Sequence, residues 1–182
     1  MRFTILLLIF VFAMLSPIQG ATLTFLNTTD GGSTFLYSGS VQNNQQVNSG
    51  DYFVIFDFAG LVSGSGPSSD WVFNIQNDVA GHPDNPSITD ATFTYAGSSI
   101  IGQPGQTPLG IFTLKTTATG QQQGSYVFET TRSDGGNAGS SIDQSAITTV
   151  AAGASAVPEP SAILLVGGGL LAACLRRQWK VS

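Results

Sequence analysis

Three patterns of apolar and polar positions succeed one another along the 182-residue chain. Residues 3–15 are almost wholly apolar, residues 21–156 alternate with a period of two in short runs, and residues 161–175 are again apolar and uncharged. In the middle part, Tyr52, Val54, Phe56 and Phe58 fall on one face of a strand, with Phe53, Ile55 and Asp57 on the other. A strand apolar on nearly both faces belongs at the centre of a sheet. Trp71, Phe73 and Ile75 alternate with Val72, Asn74 and Gln76. Phe93 and Tyr95 alternate with Thr92 and Thr94, and Tyr126 and Phe128 with Val127, Glu129 and Thr131. A further run, after Pro108, holds Ile111, Phe112 and Leu114, and shorter candidates cover residues 22–26, 34–37 and 145–150.

Turn residues separate these runs: Asp30-Gly31-Gly32, Asn48-Ser49-Gly50, and residues 63–69, 82–86, 103–107 and 134–139. Glycine supplies positive φ there, while Asp, Asn and Ser bond their own backbone. Asn43-Asn44-Gln45-Gln46 and Gln121-Gln122-Gln123 read as polar loops. No window has the period of an amphipathic helix, and β-branched and aromatic residues fill the runs. About seven or eight strands with no βα alternation predict an all-β fold, an antiparallel β-sandwich of jelly-roll or Ig-like type.

The two ends have a different purpose. Met1-Arg2, the apolar run and the break at Ser16-Pro17-Ile18-Gln19-Gly20 have the layout of a signal peptide over residues 1–20, cut between Gly20 and Ala21. An uncleaved N-terminal anchor is the alternative. The exported domain is expected over 21–150, followed by a small-residue linker at 151–156. The tail, 157–182, opens with Val157, Pro158, Glu159 and Pro160; an apolar run at 161–175 follows, then a basic end at 176–180 with Arg176, Arg177 and Lys180. An apolar run closed by basic residues is a stop-transfer segment, because Lys and Arg are retained on the cytoplasmic side. As a helix the run spans roughly 22 Å against a hydrocarbon core near 30 Å, enough to halt in a membrane with its basic ends snorkelling.

Val157-Pro158-Glu159-Pro160, the glycines Gly167, Gly168 and Gly169 in the apolar run, and the pair Arg176-Arg177 resemble the PEP-CTERM sorting tail. The resemblance implies recognition and processing by an exosortase, a multi-spanning membrane enzyme of Gram-negative bacteria. It also implies a transient membrane anchor through a C-terminal transmembrane helix. Final placement at the cell surface or in the extracellular matrix, and association with exopolysaccharide in biofilm, follow from it as expectations. An ordinary single-pass anchor on a proline-rich stalk is the alternative.

Charge narrows the partners of the exported part. Residues 21–156 carry nine Asp and one Glu against Lys115 and Arg132, a net charge near −8. Such a surface repels nucleic acid and anionic lipid. The single cysteine, Cys174, lies in the tail, so no disulfide can staple the exported domain.

Residues with reactive side chains are few. His82 in Gly81-His82-Pro83-Asp84-Asn85-Pro86 has no nucleophile elbow to serve and no second His or Cys for zinc, so an exposed loop histidine is expected. Asp30-Gly31-Gly32 and Asp134-Gly135-Gly136-Asn137 have the composition of calcium loops without their spacing, and read as turns. Glu129 is the domain's one Glu, and Asp57 sits on its most apolar strand, either inward with a raised pKa or at an exposed strand end. Asn27-Thr28-Thr29 matches the glycosylation acceptor pattern. Neither a cofactor nor a catalytic or metal site is expected. The chain reads as an exported structural or binding protein. The alternatives are a carbohydrate-binding module, with Trp71, Tyr52 or Tyr95 stacking on sugars, and a secreted hydrolase delivered by the same tail.

Overall fold

The computed structural model describes residues 20–153 apart from Ala80, Pro83 and Asp84. Residues 1–19 and 154–182, with most of the signal segment, the sorting motif and the stop-transfer residues, lie outside the described residues. Among those described, no helix is long and apolar enough to cross a membrane.

In chain order the strands are β1 (Thr22–Thr29), β2 (Thr34–Gln42), β3 (Gln45–Val47), β4 (Tyr52–Ile55), β5 (Leu61–Ser65), β6 (Trp71–Gln76), β7 (Asp90–Tyr95), β8 (Ile100–Ile101), β9 (Gln106–Thr116), β10 (Gly120–Arg132) and β11 (Ser141–Ala152). They form two sheets in which every pairing is antiparallel. One has four strands in the order β1-β2-β9-β5; the other has seven, in the order β6-β7-β4-β10-β3-β8 with β11 against β10. The expected β-sandwich is what forms. β10 is the spine of the larger sheet, with β11 along one side over twelve consecutive pairs, and β4 and β3 in line along the other.

β3 and β4 are one strand interrupted by the excursion at Asn48-Ser49-Gly50-Asp51. The Asp51 carboxylate closes it by accepting the Asn48 amide at 2.8 Å, and Gly50, at φ 100°, makes the turn. Read from sequence, Asn43-Asn44-Gln45-Gln46 was expected as loop; Gln45 is instead fully buried in β3. Gln121-Gln122-Gln123 likewise belong to β10, where the ladder to β11 satisfies their backbone whatever their side chains prefer. The last three residues of β5, Ser63, Gly64 and Ser65, fall in the stretch expected as turn at 63–69 and pair with β9 instead. β11 runs to Ala152 with Ala151 buried, so two residues assigned to the linker finish the last strand. Pro108 lies inside β9, where the pairing with β2 shifts between Gly39 and Ser40; a bulge is where a residue without an amide proton fits a ladder.

The core is aromatic. Phe53 of β4 packs at ring-centroid distances of 4.7 Å on Phe112, 4.9 Å on Phe93 and 5.3 Å on Phe128. Phe112 comes from the four-stranded sheet and also meets Trp71, edge to face at 4.9 Å, so these rings join the two layers. Edge-to-face and offset pairs add about 0.5–1.5 kcal/mol each beyond area burial.

The expected faces of the 52–58 run hold as far as Phe56. Phe53 and Ile55 point between the sheets, while Val54 and Phe56, with Val127, Val79 and half-buried Tyr52, form a second apolar cluster on the outer face of the larger sheet. Strict alternation would then put Phe58 with Phe56. Asp57 breaks the period: at φ 55° it takes a left-handed turn, and Phe58 enters the main core against Phe35, 5.1 Å away.

Replacing Phe53 by Ala should cost about 3–5 kcal/mol, and replacing it by Leu clearly less, as cavity and lost ring contacts dictate. Urea unfolding followed by far-ultraviolet circular dichroism checks this, and equal midpoints for the two variants would contradict the central place given to Phe53.

Candidate functional site

The two outer faces of the sandwich differ in chemistry. The strands of the four-stranded sheet contain one charged residue, Lys115. On its outer face Thr22, Thr24 and Leu26 of β1, Ser38 and Ser40 of β2, and Gln106 and Pro108 of β9 line an open trough of about 540 Å³. Local sequence explains the hollow. β1 has a register shift between Phe25 and Asn27, and β2–β9 shifts at Gly39/Ser40, so both strands bend where the trough lies. The hydroxyls of Thr22 and Ser40 hydrogen-bond each other at 2.7 Å. Leu26 and Ile111, the latter paired with Ser38, are 46% and 51% exposed, so aliphatic patches alternate with hydroxyls. The trough thus offers hydroxyl and amide hydrogen-bonding groups among small apolar patches, without charge.

The outer face of the larger sheet is acidic. Glu129 of β10 stands directly across from Asp143 of β11, with Asp51 beside them. Burial raises the Glu129 pKa, and the charges of Asp143 and Asp51 raise it further. The Asp51 pKa is also raised by burial, against the hydrogen bonds from the Asn48 amide and the Thr131 hydroxyl. Burial, with the charges of Glu129 and Asp143, raises the Tyr52 phenol. A raised Glu129 beside Asp143 can hold a proton between two carboxyls, and Asp143 is exposed on an open strand face. This pairing was missed in the sequence, where Glu129 was considered alone; the turn at 134–139 held the clue, since folding the chain back about it puts 129 opposite 143.

The other sequence candidates stay apart. Trp71 and Tyr95 are buried against each other at 5.0 Å in the core, and Tyr52 is half-buried over the second apolar cluster, so the three form no exposed stacking platform. Their apolar area is worth more between layers than in water. His82 packs its ring on Phe56 at 5.7 Å, an apolar neighbour; Pro83 and Asp84 lie outside the described residues. Asp57 is half-buried, and its amide donates to the carboxylate of Asp90 at 2.9 Å. Asp90 is fully buried and was not singled out from sequence, since a strand-initial Asp looks like a turn residue. Asp30 is a turn residue at φ 52°, its carboxylate accepting the Thr34 hydroxyl at 2.8 Å, and residues Gly135–Asn137 form a single 3-10 turn in the β10–β11 hairpin. Among the described residues, no group of three or more His, Cys, Asp or Glu is placed to hold a metal ion. Gly20 and Ala21, the expected cleavage pair, are both buried at the head of β1.

The profile of the PEP-CTERM protein-sorting motif matches residues 156–178. The resemblance read from Val157 to Pro160, the three glycines and the Arg pair is thereby borne out: the chain carries this sorting motif, which implies export, transient sorting at a membrane and processing by an exosortase. No curated protein matches the chain. Among solved structures it is similar to the collagen binding subdomain of the Enterococcus faecalis surface protein ACE, at 11% identity and a TM-score of 0.37, over 74% of this chain and 97% of that one.

The acidic face yields a prediction with a definite sign. The folded-state pKa of Glu129 lies above its ordinary value, so its contribution to stability is present below the ordinary carboxylate range and is lost as pH rises through the raised value. Glu129→Gln should therefore be more stable than wild type near neutral pH, by up to about 1 kcal/mol for a like-charged cross-strand pair. The gap should close toward about pH 4, and shrink in high salt. Thermal midpoints measured across pH decide it; a gap independent of pH would mean the carboxyls do not interact.

Proposed function

We propose that this is an exported cell-surface or extracellular-matrix protein of a Gram-negative bacterium, delivered through its tail to an exosortase, and that its sandwich acts by binding exopolysaccharide in biofilm rather than by catalysis. The sorting motif at 156–178 is the observation that carries the reading. Its chemistry suits the role assigned to it. Pro158 and Pro160 hold φ near −65° and disfavour helix at the residues before them. The sequence Val157-Pro158-Glu159-Pro160 thus favours the extended form that a processing enzyme could bind. Glu159 is the one charge between Asp143 and Arg176. Arg176, Arg177 and Lys180 stop translocation and fix the height of that segment at the membrane.

The ligand is inferred from the contrast between faces. A domain with net charge near −8 repels an anionic polymer at long range, whereas the four-stranded sheet presents hydroxyls and aliphatic carbons with no acid in any of its strands. An uncharged polysaccharide chain laid in the trough would trade hydrogen bonds with Thr24, Ser38 and Ser40 and rest its apolar ring faces on Leu26 and Pro108.

Two experiments test the two halves. Glu159→Ala with Pro160→Ala should leave the protein exported and membrane-held but unprocessed in a host with an exosortase, while Arg176→Ala with Arg177→Ala should weaken membrane retention; gel mobility and fractionation separate the outcomes. Normal maturation of the Glu159/Pro160 variant would reduce these residues to a stalk. For the trough, Thr24→Glu with Ser38→Glu should lower co-sedimentation with the host's uncharged exopolysaccharide about tenfold or more, while Glu129→Gln leaves it unchanged; equal loss in both variants would remove the trough as the binding face.

A further inference from the structure

The end of the core at the head of β1 is built from amides instead of hydrocarbon. Gln45 is 0% exposed, and neither its Oε1 nor its Nε2 has a hydrogen-bond partner among the described residues. Thr130 is also fully buried, with its hydroxyl unpartnered. The register puts these groups on one inward face: Phe128 pairs with Gln144 and Arg132 with Gln45, so Thr130 lies between the two pairs. Gly20 lies against the Gln144 and Gln45 amides. A Cβ built on Gly20 would overlap the Gln144 amide and stand 3.1 Å from Gln45 Nε2. Ala21 is 0% exposed in the main core, and two residues on the Leu23 amide donates to the Tyr126 hydroxyl at 3.0 Å. Buried polar groups are nearly always paired, so a fully buried amide with neither atom bonded marks a place where a partner belongs.

We propose that this pocket seats the α-amino group that appears at Ala21 when the Gly20–Ala21 bond is cut. The inference rests on the sequence reading of that bond as the signal cleavage site. In the cut, a signal peptidase adds water across the amide: the C–N bond breaks, Gly20 departs with a carboxylate, and the Ala21 nitrogen keeps a proton from the water and takes another as an ammonium. One amide donor becomes three donors beside Gln144 Oε1, which can accept, and beside the Gln45 amide, which accepts once turned so that Oε1 takes the place of Nε2; Thr130 Oγ1 lies on the same inward face. Departure of Gly20 frees the space its backbone occupies beside the Gln144 amide. Neutral oxygens hold the ammonium without a counter-ion, so the α-amine loses protons more readily than in water. Because Gly20 and Ala21 are buried in the folded domain, the bond is cut before this end of the core closes. Maturation and the last step of packing are thereby coupled.

The test uses the protein exported by its native host. Mass spectrometry of its N-terminal peptide establishes where the chain begins. Reductive dimethylation near neutral pH, with and without denaturant, then reads the accessibility of the α-amine. In an unfolded chain an α-amine reacts faster near neutral pH than a lysine ε-amine, because the ordinary pKa values of the two groups are near 8 and 10.4. In the folded protein the Ala21 amine should react at least about tenfold more slowly than in denaturant, as a group reached only through local opening does, while exposed Lys115 changes little. Gln45→Leu should restore reactivity. Gln45→Glu should slow it further and raise the thermal midpoint, through a carboxylate facing the ammonium. Gly20→Ala should give a mature protein identical to wild type in mass and midpoint, since the substituted residue leaves with the signal segment. A chain that starts at Ala21 but whose amine labels equally fast folded and unfolded overturns the pocket. A chain that starts elsewhere, or that retains the substituted residue, overturns the cleavage reading beneath it.

Discussion

The structure depends on one contact between layers: the edge-to-face seating of Phe112, from the four-stranded sheet, among Phe53, Phe93 and Trp71 of the larger sheet. No disulfide can join the sheets, so their mutual position is set by how these rings interlock. Phe53 in turn fixes where β4 sits on β10, and so where Glu129 and Asp51 stand on the outer face. A shift of one residue in that pairing would exchange Phe53 for Val54 between the layers and turn every inward ring of the strand outward. The aromatic layer therefore sets register as well as stability.

Much of this was legible in the alternation. Phe93, Tyr95, Tyr126 and Phe128 face inward as their spacing requires, and the glycine-bearing turns at Asp30 and Asp134 are turns. What alternation could not show was set by neighbours distant in sequence. Gln45, Gln121 and the glycine and serines of β5 have weak strand preference, and they become strands because a ladder already formed beside them leaves no other partner for their amides. The turn at Asp57 is likewise a tertiary decision, since burial of Phe58 outweighs the cost of a left-handed Asp. The sorting motif was readable because it is a linear signal, in which order along the chain is itself the chemistry. The trough and the acidic face were not, because each is assembled from strands far apart in sequence.

The two sheets also differ in charge. Acidic residues gather on the larger sheet and in the loops, and keep a protein of this charge dispersed. The second apolar cluster adds to the difference, since the segment bearing Val79 and His82 packs over part of the larger sheet's outer face, whereas among the described residues no such segment packs over the trough.

The unbroken pairing of β10 with β11 has a mechanical consequence. β11 is the last strand, and the chain leaves the domain directly from its end at Ala152. A pull applied there along the strand acts parallel to the β10–β11 ladder, so its inter-strand bonds are strained side by side in shear and share the load. A pull across the ladder would instead break them one after another from the end, as a zipper opens. The Tyr37 hydroxyl on the Thr149 carbonyl, at 2.6 Å, and the Ala59 amide on the Ala151 carbonyl, at 3.2 Å, fasten the outer edge of the same strand. Tension entering the domain through its C-terminal end would therefore meet the longest ladder of the fold in shear.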